Sequence, residues 1–242
     1  VDAMTGILGK LMRLLGCTPT HKYVTDLSLF KDIEYMLKEN KSSVLMYPEA
    51  GYSFDGCATT LPRKLGVLMK KLGVPVVTVI TEGAFHRDPL YNMLQIRKVK
   101  VSAHVKCIAT AEELKEKSVA ELDALLDEAF SFDNFAWQRD NKVSIDVPFR
   151  ADGLHRILYK CPHCGAENKM EGKGIHLTCH ACNKQWTMDQ YGQLSANKGD
   201  TEYPHIPDWY KWQRACVRKE LEDGTYLLDT DVDIAIQVNL DG

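Results

Sequence analysis

The sequence predicts an α/β fold, a mainly parallel sheet flanked by helices, followed by a small ribbon and a C-terminal α+β unit. Three observations predict it. Up to about residue 130, apolar runs of strand length alternate with segments whose apolar residues recur at helical spacing. Beyond that point, four of the eight cysteines stand in two matched pairs. The 242 residues leave room for one domain of ordinary size and one small one.

In the opening stretch Ile7, Leu8, Leu11, Leu14 and Leu15 fall at helical spacing with Lys10 and Arg13 between them, and Gly16 stops the pattern. A helix packed on a core is the expected arrangement; a basic amphipathic helix resting on a membrane surface is the alternative. Asp26 then caps a helix whose face is Leu27, Phe30, Ile33 and Leu37. Val44 to Tyr47 is an apolar run ended by Pro48, which reads as a buried strand. Leu61, Leu65, Leu68 and Leu72 mark a further helix with Pro62 in its first turn. Val74 to Thr81 is dense in valine, as in a strand covered on both faces. Val99, Val101, Ala103 and Val105 alternate with polar residues, as in a half-buried strand. A long helix follows from about Glu112 to Phe130, and two capping boxes, Thr110 with Glu113 and Ser118 with Glu121, compete for its start.

A polar turn at Arg150–Gly153 closes this pattern. It divides the chain into an α/β domain (residues 1–150), a ribbon (151–192) and a C-terminal unit (193–242) packed on the ribbon. In that last unit a helix runs from Pro207 through Leu221, and alternation from Tyr226 to Leu240 predicts strand.

The net charge of −3 gives no electrostatic case for a nucleic-acid partner, and none is expected. Residues 1–150 carry 20 Lys and Arg against 19 Asp and Glu, whereas residues 151–242 carry 10 against 14. The cysteine-bearing part is therefore acidic, which a phosphate-binding finger seldom is. Cys17, Cys57, Cys107 and Cys216 are scattered singly, as in a reducing, cytoplasmic compartment. No apolar run is long enough to span a bilayer and no signal peptide is visible, so any membrane contact is peripheral.

Cys161-Pro-His-Cys164 and Cys179-His-Ala-Cys182 are two short loops that each place two thiolates on one cation. Gly165 and Asn183 follow them and tolerate the left-handed backbone such turns need. Four thiolates suit the tetrahedral preference of Zn2+ and leave no open position, so the expected site is structural. A redox dithiol and disulfides are the rival readings. His163, His176 and His180 lie close in sequence and are expected to be bystanders.

Val44-Leu-Met-Tyr-Pro-Glu-Ala-Gly-Tyr-Ser-Phe-Asp-Gly56 resembles the "F-P-E-G-T-R-S" block of the 1-acylglycerol-3-phosphate acyltransferases, the glycerolipid acyltransferase family. Gly73-Val-Pro-Val-Val-Thr-Val79 is similar to that family's later "V-P-V-x-P-V" strand. The resemblance covers approximately Gly6 to Phe132. It implies transfer of an acyl group from a thioester, acyl-CoA or acyl-carrier protein, to a lysophosphatidate-like or other lipid alcohol. It also implies that Glu49 and Ser53 contact the acceptor.

Ala50, Gly51 and Tyr52 replace the family's Gly, Thr and Arg, so the cation for an acceptor phosphate must come from elsewhere, from Lys22 or Arg63. In the family the base is the histidine of an H-x4-D block, oriented by the aspartate. His21 and Asp26 match that spacing formally, yet they lie too close to Glu49. Lys22 instead takes the basic place of a middle block, and the H-x4-D block is expected upstream of Val1. A non-catalytic acyltransferase-like scaffold that interacts through its ribbon is the alternative function, and a nucleic-acid-binding ribbon protein is a third.

Overall fold

The computed structural model describes residues 6–18, 27–49 and 51–228. In chain order the helices and strands are α1 (Gly6–Leu14), α2 (Leu27–Lys38), α3 (Leu65–Leu72), β1 (Val76–Glu82), α4 (Ala84–Arg87) and β2 (Ser102–Ala109). They continue with α5 (Ala111–Glu116), α6 (Val119–Ala129), α7 (Asn134–Asp140), β3 (Met170–Lys173), β4 (His176–Cys179), β5 (Gln185–Met188), β6 (Leu194–Ala196) and α8 (Ile206–Glu222). Among the described residues no helix is long and apolar enough to cross a membrane.

The described strands form two antiparallel sheets. β1 pairs with β2 from Val76↔Ala109 to Glu82↔Ser102, and β3 to β6 form a meander in chain order. The expected mainly parallel sheet is therefore not what the described strands build. Valine density reports how well a segment suits a pleated surface, and it carries no information on strand direction. Residues 83–101 double back through α4 and a 3-10 turn at Leu90–Asn92, which returns the chain antiparallel. One face of the pair, with Val77 and Val79 opposite Cys107 and Val105, lies open to solvent instead of being covered. Val44 to Tyr47 is extended but pairs with no strand among the described residues, and Tyr47 is 84% exposed.

The predicted long helix is two helices. Thr110 and Ser118 each accept a hydrogen bond from the amide three residues on, and Glu113 and Glu121 each reach back to the capping amide at 2.8 Å. The boxes do not compete; each starts its own helix, and Lys117 and Ser118 are extended between them. Leu114, Leu122 and Leu126 from these helices join Met69 and Ala109 in a small core. The helix expected from Leu61 begins at Leu65 instead, because Lys64 adopts a left-handed conformation (φ 74°) that no helix continues through. α1 forms as expected but not on a core: Ile7 is 88% and Leu14 83% exposed, and Gly9 is its buried residue.

A second, larger core gathers Leu154, Leu158, Leu177, Trp186, Leu194, Ile206 and Trp209 around the ribbon. Trp186 and Trp209 meet edge to face with centroids 5.0 Å apart, and the Trp209 indole donates to the carbonyl of Lys160 at 3.0 Å. This core also includes Tyr91 and Phe135, so it runs across the boundary placed at residue 150. The buried Arg97 adds to that continuity, donating to the Tyr91 hydroxyl (2.9 Å) and the Arg150 carbonyl (3.1 Å). Asn92 donates to the carbonyls of Phe149 and Asp152, both at 2.8 Å. The polar turn at 150–153 is thus sewn to residues 91–97. Of the predicted final strand, residues 226–228 carry no regular structure and the remainder lies outside the described residues.

Candidate functional site

The strongest cluster of ligating groups is the four cysteines. The Sγ atoms of Cys161, Cys164, Cys179 and Cys182 all lie within 4.8 Å of one another. Two matched turns bring them there. The Gly165 amide donates to the Cys161 carbonyl at 2.9 Å, and the Asn183 amide to the Cys179 carbonyl at 2.8 Å. Gly165 (φ 76°) and Asn183 (φ 60°) take the left-handed conformation expected from their residue types. Cys161 and Cys179 close each turn by donating their amides to Ala166 and Lys184, both at 2.9 Å. The β3–β4 hairpin then sets the turns face to face.

The separations are those of a cation site. Cys161–Cys182 and Cys164–Cys179 are each 3.8 Å between sulfurs. These two of the six edges match a tetrahedron whose corners lie about 2.3 Å from its centre, the length of a zinc–thiolate bond. A disulfide would need about 2.05 Å, so these pairs are thiols. The Ala166 amide holds the Cys164 thiol below its ordinary pKa, whereas burial pushes those of Cys161 and Cys182 up. A buried thiol that resists ionisation becomes a thiolate when a cation stands beside it. The residues therefore fit a metal ion. The neighbouring histidines bond elsewhere: His163 to Glu202 (3.3 Å), His176 to Thr187 (3.0 Å) and His180 to Glu171 (3.0 Å).

The second candidate is the loop from Pro48 to Thr59. Glu49 is half-buried, and its Oε1 accepts both the amide and the hydroxyl of Thr59 at 2.9 Å. Ser53 donates to the Cys57 carbonyl at 2.6 Å, and Tyr52 is 77% exposed. Glu49 and Ser53 thus each tie the loop to itself. A shallow cavity of about 280 Å³ lies beside Thr59, lined also by Thr60, Leu61, Phe130 and Ser131. His21, Lys22 and Asp26 lie outside the described residues.

The structure adds residues that no local pattern marks. Asn134 donates to the Gly56 carbonyl from both its amide (2.9 Å) and its side chain (2.7 Å). Cys57 bridges to Asp133, whose carboxylate also accepts from His205 Nε2 at 2.7 Å. His86 is completely buried and donates from Nε2 to the Asn134 carbonyl at 2.7 Å. Neither Asp133, which caps α7, nor its partner His205, 72 residues on, was marked by the sequence.

No family model matches the chain, and no curated protein or solved structure matches it either.

Proposed function

We propose that this chain is an acyltransferase of glycerolipid synthesis with an appended zinc ribbon. It transfers an acyl group from acyl-CoA or acyl-carrier protein to a lysophosphatidate-like or other lipid alcohol. The observation that carries this reading is Glu49, set in a motif that resembles the family's acceptor-binding block. Its Oε1 is fixed by Thr59, and its Oε2 makes no hydrogen bond among the described residues. A carboxylate held in this way can accept a hydroxyl of the acceptor without first being reordered. The attack needs a base to take the hydroxyl proton and donors for the oxyanion. In the family a histidine–aspartate pair fills the first role; His21 and Asp26 match its spacing only formally, lie too close to Glu49 and are not assigned to it. Lys22 supplies positive charge for a phosphate-bearing acceptor in place of the arginine that Tyr52 replaces.

In this reading the four thiolates hold Zn2+, which an all-sulfur donor set supports over larger, oxygen-seeking ions. The exposed apolar side chains of α1, with Lys10 and Arg13 beside them and no acidic residue in its first turn, support peripheral contact with an anionic lipid surface.

Acyl transfer from acyl-CoA to lysophosphatidate tests the assignment. Glu49→Gln should raise the acceptor KM about tenfold or more and leave the donor KM unchanged. Lys22→Ala should likewise weaken the acceptor more than the donor. Acceptor binding by calorimetry without turnover would favour the non-catalytic scaffold. Turnover that Glu49→Gln leaves untouched would remove Glu49 from the site.

A further inference from the structure

The Glu49 loop is held along its inner edge by residues 132–134. Gly56 and Cys57 form its inner edge. Asn134 grips the Gly56 carbonyl twice, and the Ala58 amide donates to the Phe132 carbonyl at 3.0 Å. Cys57 pairs with Asp133 through the backbone. That carboxylate is itself held from two sides, by the Ala136 amide at 2.9 Å and by His205 Nε2 at 2.7 Å.

His205 does not belong to the same part of the chain. It is the residue before α8, its backbone bridges Gln193, and the neighbouring Pro204 carbonyl accepts the Leu194 amide at 2.8 Å. β6 begins at Leu194 and pairs with β5, which pairs with β4, and β4 ends on Cys179 of the metal cluster. His205 is thus fixed by the ribbon and reaches 72 residues back to Asp133. Both side chains are largely sheltered, 13% and 31% exposed, so water competes weakly for the bond.

We propose that His205 and Asp133 are positioning residues that tie the Glu49 loop to the metal ribbon, making the ribbon part of the acceptor site's frame. The proposal rests on the acyltransferase reading for what the loop binds, but not for the tie itself. Through this tie the appended ribbon holds steady the loop whose carboxylate meets the acceptor.

The test uses the full, metal-loaded chain. Amide exchange across residues 51–59 and the alkylation rate of Cys57 are followed, with the exposed Cys107 as internal control. His205→Ala should speed both readouts at the loop about tenfold or more and leave Cys107 unchanged. His205→Gln, whose amide can stand where Nε2 stood, should restore protection. His205→Asn, too short to reach, serves as a second open variant if the alanine chain fails to fold. Metal removal by a chelator should open the loop as His205→Ala does. Where acyl transfer is measurable, His205→Ala should raise the acceptor KM more than it lowers kcat. Unchanged loop protection in His205→Ala, or in the metal-free chain, would overturn the proposal; so would a glutamine variant as open as the alanine one. A chain without any acyl transfer that still shows this pattern would end the acyltransferase reading and keep the tie.

Discussion

His86 should make the fold sensitive to mild acid. Its ring is completely buried against Phe85, Phe135 and a stacked Trp137, and Nε2 donates to the Asn134 carbonyl. Nδ1 is buried without a partner, so a proton added there finds no acceptor. Burial first, and then the nearby Arg97 cation, lower its pKa from 6.5 to about 4. Between those values the unfolded chain binds a proton that the folded chain refuses. Stability is therefore fully present above the unfolded pKa and is lost as pH falls towards the folded one, by about 1.4 kcal/mol per unit. From about pH 7 to about pH 5 the loss from this one residue is about 2 kcal/mol. His86→Gln keeps a donor for Asn134 and cannot titrate. Urea unfolding of both proteins across that range should show the wild-type stability falling about 2 kcal/mol further than that of the variant. Acid release of a metal ion affects both proteins alike and cancels in the difference. Parallel curves would mean that His86 is not buried as a neutral ring, and the packing of α4 on α7 would need redrawing.

Two further predictions probe the fold. Thr110→Ala and Ser118→Ala should each cost about 1 kcal/mol and add in the double variant, because each caps a separate helix; if only one mattered, a single continuous helix would be the better description. Gly56→Ala places a Cβ 3.0 Å from Phe85 and 3.2 Å from Phe135 at a φ of 81°, so it should lower the melting temperature and cost about 1–3 kcal/mol; an unaltered transition would show that the loop does not pack on these rings.

What the sequence made legible was what depends on near neighbours. The two cysteine turns could be read because each turn's residues lie within five positions, and the hairpin between them is short. Both capping boxes were equally visible, yet joining them into one helix ignored that each serine or threonine cap requires an extended residue. The valines of β1 announced a strand but not its partner, since pairing direction is set by a connection with no periodic signature. Val44 to Tyr47 carries the composition of a strand and finds no neighbour among the described residues. The long contacts were the least visible. Asp133 with His205, Arg97 with Arg150 and His86 with Asn134 join residues 48 to 72 positions apart through single hydrogen bonds. Nothing in the spacing of such residues marks them before the core that brings them together is known. The same contacts carry the ribbon's packing across residue 150, where a polar turn alone suggested a boundary.

The proposal that the four cysteines hold zinc can be tested without any assumption about substrate. X-ray absorption at the zinc edge of the purified chain should show four sulfur neighbours at about 2.3 Å and no nitrogen, with one zinc per chain by elemental analysis. A shell containing imidazole nitrogen, or a chain free of metal with Cys161 joined to Cys164 as a disulfide, would contradict the account.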